Sequence, residues 1–210
     1  MRADLKVTRF LICFQLLVVC ICIPPAVADG SNRWAVGFGT GYITQIRPHG
    51  MLYGEFARVN GDLGGRLYHL NVNYRLKSKE LHLFSTRCRV DYEITSTVGF
   101  VEENNGKSFA NINSAFALRW MTFPWNRYIT TTAMTGLGLN YSADIFSFDI
   151  EEHRGQHRSR LKFFWPLEVT FALPGWEHHQ LVLFNHHISG GYTLDTGGID
   201  NYGFGYRYLF

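Results

Sequence analysis

The sequence predicts an all-β protein, an eight-stranded antiparallel transmembrane β-barrel, from three observations. Residue character alternates along eight segments, seven of them clear, with the period of a strand whose two faces meet different surroundings. Past the first 28 residues there is no run of 18 apolar residues, so no spanning helix is available. The connections alternate long and short, as they do where long external loops oppose short periplasmic turns.

Composition agrees. A chain of 210 residues suits one domain, and 18% charged residues, 16% aromatics and 21 Gly argue against disorder, coiled coil or a collagen-like repeat. The formal charge is only +3 with no basic block, so no nucleic-acid partner is expected.

The N-terminal segment stands apart. Arg2, Lys6 and Arg9 precede an apolar run from Phe10 to Ile23, then Pro24-Pro25 and Ala26-Val27-Ala28. This is the pattern of a secretory signal peptide over residues 1–28, cleaved after Ala28. Residues 29–210 are then the barrel, with the bacterial outer membrane as the expected location. Cys20 invites lipoprotein processing, but Val19 before it is bulkier than that processing usually accepts. Removing the segment leaves 17 basic and 16 acidic residues, close to neutral. It also leaves Cys88 alone, unable to form an internal disulfide and best read as a small filler in a strand.

The strands follow in order. Trp34, Val36, Phe38, Thr40 and Tyr42 alternate with Ala35, Gly37, Gly39 and Gly41. No helix pattern follows Gly37-Phe38-Gly39, so it is not a phosphate loop. Tyr68 to Leu76, Val90 to Phe100, Ile112 to Trp120 and Ile129 to Tyr141 repeat the alternation. Leu161, Phe163, Trp165, Leu167, Val169, Phe171 and Leu173 form a long apolar face; the tail places Tyr202, Phe204, Tyr206, Tyr208 and Phe210 on another. A less regular segment from Gln180 to Ser189 completes eight.

The opposite faces are small or polar, which suits the narrow lumen of an eight-stranded barrel whose apolar face meets lipid. They collect Arg75, Asp91, Glu93, Arg119, Glu168 and Arg207, whose balanced charges predict a salt-bridged plug rather than a pore. With both termini periplasmic, the short connections are Lys77–Glu80, Pro124–Asn126 and Pro174–Glu177. The long ones are Gln45–Gly65, Glu102–Lys107, Ser142–Ser159 and Gly190–Ile199. The aromatic end at Phe210 resembles the signal read by the barrel-assembly machinery, an expected partner together with outer-membrane lipids. A homodimer is left open.

Chemistry has few places to sit. His178-His179 and His186-His187 are neighbours, and neighbours on a strand point to opposite faces, so neither pair chelates easily. His153 and His157 have i,i+4 spacing, but the charged loop from Asp149 to Arg160 offers little helical pattern. Its Arg154, Arg158 and Arg160 suit lipid phosphates instead. The segment His187-Ile188-Ser189-Gly190-Gly191 differs. Residues i and i+2 share a strand face about 6–7 Å apart, so an imidazole can take the serine proton and activate a nucleophile. Gly190 and Gly191 allow a sharp turn whose N–H groups are oxyanion-hole candidates, and Asp200 can orient the imidazole. A polar strand end explains the same residues without catalysis. Asp200 shares parity with Tyr202 and Phe204, so the site is expected on the outer wall, with His187 and Ser189 within hydrogen-bond reach.

These residues carry a resemblance. The chain resembles the lipid A 3-O-deacylase family (PagL-type, acyloxyacyl hydrolase) of eight-stranded outer-membrane barrels. That family has an H-x-S-N-A-G segment, a short loop with Gly and an acidic residue, and an aromatic last strand. Here the run is His187-Ile188-Ser189-Gly190-Gly191, then Gly197-Gly198-Ile199-Asp200, then Tyr202-Gly203-Phe204-Gly205-Tyr206-Arg207-Tyr208. The segments Arg119–Trp125 and Pro166–Pro174 are also family-like. The resemblance implies removal of an acyl ester from lipid A, or lipopolysaccharide, with His187 as base, Ser189 as nucleophile and Asp200 as orienting acid. No cofactor or metal is implied. Gly190 stands where the family has Asn, and Asp200 where it has Glu, in a loop one residue shorter. A non-catalytic barrel of structural or adhesive role is the alternative.

Overall fold

The structure, a computed structural model, describes residues 33–45, 50, 53, 57–83 and 86–210. The signal-peptide segment, residues 1–28, lies outside them. Eight strands close into one antiparallel barrel: β1 (Trp34–Thr44), β2 (Gly65–Leu83), β3 (Thr86–Glu103), β4 (Ser108–Trp120), β5 (Thr130–Ser142), β6 (Leu161–Ala172), β7 (His179–Ser189) and β8 (Gly198–Leu209). β8 returns to β1, where Trp34 and Phe210 exchange backbone hydrogen bonds of 3.2 and 2.9 Å. Closure leaves no sheet edge unpaired within the belt, which a hydrocarbon environment requires.

The period-2 pattern sorts as the sequence predicts. Phe38, Leu70, Leu137 and Phe204 project outward and are 57–67% exposed, a belt that only lipid can cover. Alternate residues fill the lumen, in two unlike halves. Toward the short turns, Arg119 donates to Glu93 at 3.0 Å, to Glu168 at 2.9 Å and to Thr132 at 3.2 Å, while Arg207 reaches Glu93 at 3.4 Å. Arg75 meets Asp91 at 3.5 Å. Toward the long loops an apolar cluster of Ile43, Leu67, Val101, Phe109, Phe164, Ile188 and Ile199 is packed among buried polar residues such as Asn111, Asn140 and Lys162. Phe146 and Phe148, from the loop after β5, cap it. The ion-paired plug therefore fills only part of the interior.

Three expectations are corrected. Lys77–Glu80 is not a turn: β2 runs through it to Leu83, with a bulge between Arg75 and Lys77 and the pairs Lys79↔Val90 and Glu80↔Arg89. A charged stretch without Gly or Pro fits a solvated strand as well as a turn, and here β2 and β3 extend beyond the belt. The connections at 45–64, 143–160 and 190–197 are longer than the short ones that precede or follow them at 84–85 and 173–178, but the third shrinks to residues 104–107 because β3 and β4 stay paired to Glu102↔Ser108, and the fourth, expected at Pro124–Asn126, widens to residues 121–129. Finally, the loop after β5 contains a short helix, α1 (Ser147–Glu152). The Glu103 carboxylate accepts from the Ser147 N–H (2.7 Å) and hydroxyl, and favours that first turn from another strand. No local pattern carries that information.

Candidate functional site

On β7 the odd residues face out and the even ones face in. Leu181 and Leu183 are about half exposed, whereas Val182, Phe184, His186 and Ile188 are buried in the lumen. His187 and Ser189 therefore project from the outer wall, and the two members of the His186-His187 pair part to opposite faces as expected. On β8, Asp200 shares the outward parity of Tyr202 and Phe204 and is the register partner of His187. The sheet places the two side chains together. The imidazole Nδ1 lies 3.1 and 3.0 Å from the Asp200 carboxylate oxygens. Asp200 is nearly buried, with a side chain 7% exposed, while that of His187 is 23% exposed.

One register row runs Thr44, Asp200, His187, Trp165 across β1, β8, β7 and β6. Trp165 presents its ring edge-on to the imidazole at 5.9 Å, and its Nε1 donates to Thr135 Oγ1 at 2.8 Å. The imidazole is thus walled on one side by an indole and held on the other by a carboxylate. Nothing in the spacing of β6 singles out Trp165 among its apolar neighbours, so this contact is a product of register.

Ser189 ends β7, opposite Gly198. Its Oγ accepts a hydrogen bond from the Gly191 N–H at 3.1 Å, and no hydrogen bond joins it to His187. The expected proximity is met in face and strand position, while the direct bond is absent. Gly191 and Tyr192 both have positive φ, 60° and 58°, which folds the chain sharply just past the serine. Of the two oxyanion-hole candidates, Gly190 gives its N–H to Gly197 O at 2.8 Å, and Gly191 directs its N–H at Ser189. The Tyr192 N–H has no partner among the described residues and stands beside them as a further donor.

A buried ion cluster fixes this loop from behind. Lys162 Nζ donates to Asp149 at 2.8 Å and to Asp195 at 3.0 Å, and Asp195 also accepts from the Ser159 and Gly197 N–H groups at 2.7 and 2.8 Å. Burial pushes the Asp195 carboxyl up, but the Lys162 bond and the two backbone donors outweigh it and hold the group below its usual range. The Arg158 side chain, 6% exposed, donates to Asp149 at 3.3 Å and to Thr196 at 2.7 Å. It is therefore a brace between loops and does not reach for lipid phosphate, as its sequence suggested; Arg154 pairs with Glu151. The same cluster explains Gly190. A Cβ there would lie 2.0 Å from Asp195 Oδ1 and 2.3 Å from its backbone oxygen, so this loop excludes the family's Asn.

No family model matches this sequence, and no curated protein matches it. Among solved structures, the outer membrane enzyme PagL aligns with a TM-score of 0.56 at 16% identity, over 83% of this chain and 98% of PagL. The outer membrane protein Ail of Yersinia pestis aligns at 0.38 and 16% identity, over 86% of this chain and all of that one. OprG of Pseudomonas aeruginosa aligns at 0.36 and 13%, over 85% and 96%. The resemblance carried by His187–Gly191 and the aromatic β8 is thus matched by PagL at the level of fold, an eight-stranded transmembrane barrel.

Proposed function

We propose that this barrel resides in the bacterial outer membrane and hydrolyses an ester-linked acyl chain of lipid A, with Ser189 as nucleophile, His187 as base and Asp200 as its orienting acid. One observation carries the reading: a hydrogen-bonded His–Asp pair on the lipid-facing wall, two residues from a serine, at the upper end of a largely apolar belt. Polar groups at such a depth are costly and find use in function.

The chemistry follows from the contacts. Asp200 occupies Nδ1, so the tautomer that donates there leaves Nε2 as the proton acceptor. A rotation about the Ser189 χ1 bond exchanges the Gly191 N–H for Nε2. The hydroxyl oxygen then attacks the ester carbonyl as its proton passes to Nε2, and Asp200 stabilises the imidazolium. The Gly191 N–H, released from Ser189, and the Tyr192 N–H are the donors for the oxyanion. Collapse expels the sugar alkoxide, which takes the proton from His187, and water attacks the acyl-serine by the reverse path. An outward site needs no deep pocket because the membrane holds the acyl chains.

The purified barrel is incubated with lipopolysaccharide, and lipid A is read by mass spectrometry. Wild type should lose one acyl group, and Ser189→Ala should lower the rate at least ~10³-fold with the barrel intact by heat-modifiable migration. Equal rates for the two proteins would end the proposal. The second reading, a non-catalytic barrel, draws on the Gly191–Ser189 bond, which closes the serine on its own loop. That reading expects no acyl loss from either protein.

A further inference from the structure

On the β1–β2 flank of the His–Asp pair, at the long-loop end, lies a cleft of about 180 Å³ whose lining includes Tyr42, Arg58, Asn60, Gly65 and Arg66. Tyr42 has the outward parity of Phe38 and is the register partner of Tyr202, so the cleft opens at the top of the lipid-facing wall. Both guanidinium groups lie over the Tyr42 ring, Arg58 at 5.8 Å and Arg66 at 5.5 Å. Glu102 pairs with Arg66 in register, and the Arg66 guanidinium lies over the Tyr42 ring and hydrogen-bonds to Tyr68. Among the described residues Arg58 bonds through its Nε, to Asn60 Oδ1 at 3.3 Å, and its terminal N–H groups have no hydrogen-bond partner there. Among the described residues no carboxylate comes within 4 Å of either arginine.

Two guanidinium groups gathered at one tyrosine ring repel each other, and a dianion bound to both removes that cost. Planar guanidinium forks suit the oxygens of a phosphoryl group in particular. Below Tyr42 on the same face, Phe38 continues the apolar belt at 60% exposure, a path for chains attached to such a group. We propose that the Arg58–Tyr42–Arg66 cleft binds the phosphoryl headgroup of an anionic amphiphile in the outer leaflet. The site extends the esterase reading and rests on it for one point, its use in presenting substrate. Arg58 bridges Thr44, which pairs with Asp200, which pairs with His187. Those three strand spacings put the headgroup site roughly 15 Å from the imidazole, within the span of a large headgroup.

The test uses the Ser189→Ala barrel in nonionic micelles, so that binding is read without turnover. Native mass spectrometry compares dipalmitoyl phosphatidic acid, dipalmitoylglycerol and inorganic phosphate. Phosphatidic acid should bind roughly tenfold or more tightly than the glyceride with the same chains. The preference should vanish in Arg58→Gln/Arg66→Gln and survive in part in Arg58→Lys/Arg66→Lys, with all three proteins showing folded-barrel migration. Equal binding of the two lipids, or a preference that persists in the double Gln variant, would overturn the site. Tighter binding of inorganic phosphate than of phosphatidic acid would overturn the headgroup assignment in favour of a free anion. Because acyl release is measured separately on Ser189-containing protein, failure of this site and failure of the esterase are distinguishable.

Discussion

Arg119 in the lumen and His187 on the outer wall each hold a carboxylate oxygen at 3.0 Å, and they differ in what is left over. Arg119 is 1% exposed, and each of its three nitrogens has a partner: Glu93, Glu168, Thr132 and the Met134 sulfur. It is a permanent cation whose every nitrogen is engaged, and its work is to hold β3, β4, β5 and β6 together around a narrow lumen. His187 uses one ring nitrogen for Asp200, while Nε2 has no hydrogen-bond partner among the described residues. Saturated pairs inside a barrel are architecture. A hydrogen-bonded pair with one open ring nitrogen is where a reaction can be housed.

That contrast can be broken from either side. Arg119→Met leaves Glu93 and Glu168 facing a desolvated interior and should cost about 3–5 kcal/mol of barrel stability, read by denaturant titration in micelles. The variant should keep its rate per folded barrel. Replacing Glu93 and Glu168 with Gln in the same protein should restore much of the loss, and no restoration would mean that packing rather than charge is the arginine's role. On the outer wall the pattern should invert. Asp200→Asn should lower ester hydrolysis by ~10²-fold or more, through the wrong imidazole tautomer, with thermal unfolding nearly unmoved. A rate within twofold of wild type would remove Asp200 from the mechanism.

A third experiment sharpens the link between the site and its loop. Gly190→Asn introduces the residue of the resembled family, but its Cβ meets the Asp195 side chain and backbone. The overpacking should cost about 1–3 kcal/mol of loop stability and lower activity, seen as faster proteolysis at residues 190–197. Combining it with Asp195→Ala should recover only part, because the backbone contact remains. Higher activity in Gly190→Asn would show that the loop yields easily.

The smallest effect concerns acid. The folded Asp195 carboxyl is depressed by Lys162, Ser159 and Gly197, so its contribution is present above the unfolded carboxyl's pKa and is lost as pH falls through the lower folded value. The loop should stay protected at pH 4 and loosen only in stronger acid, measured by hydrogen exchange of residues 190–197. Asp195→Asn should remove that acid-dependent loss. Loosening already at pH 5 would contradict the assignment.

The faces of the strands were legible because a two-residue period is a local property, and each residue announces its side. So was the pairing of His187 with Asp200 as a possibility, since both carry outward parity near one end of neighbouring strands. The interruption at Lys77–Glu80 was misread because polar residues mark turns and solvated strands alike, and only the pairing of Glu80 with Arg89 separates them. Helix α1 and the brace of Lys162, Asp149, Asp195 and Arg158 were invisible for another reason. Their partners lie on different strands and loops, at separations up to 44 residues.

The sequence by itself determined an apolar outer face, a small and polar inner face, eight strands and a histidine, serine and aspartate at one end. Those are consequences of period and parity, which need no partner to be expressed. Only the tertiary structure decided that Asp200 meets His187 at 3.0 Å, that Trp165 walls the imidazole, and that Asp195 takes the space beside Gly190. Closing the barrel sets one register for all eight strands at once. Register is a long-range quantity, fixed by how every strand packs against the next, and no single segment contains it.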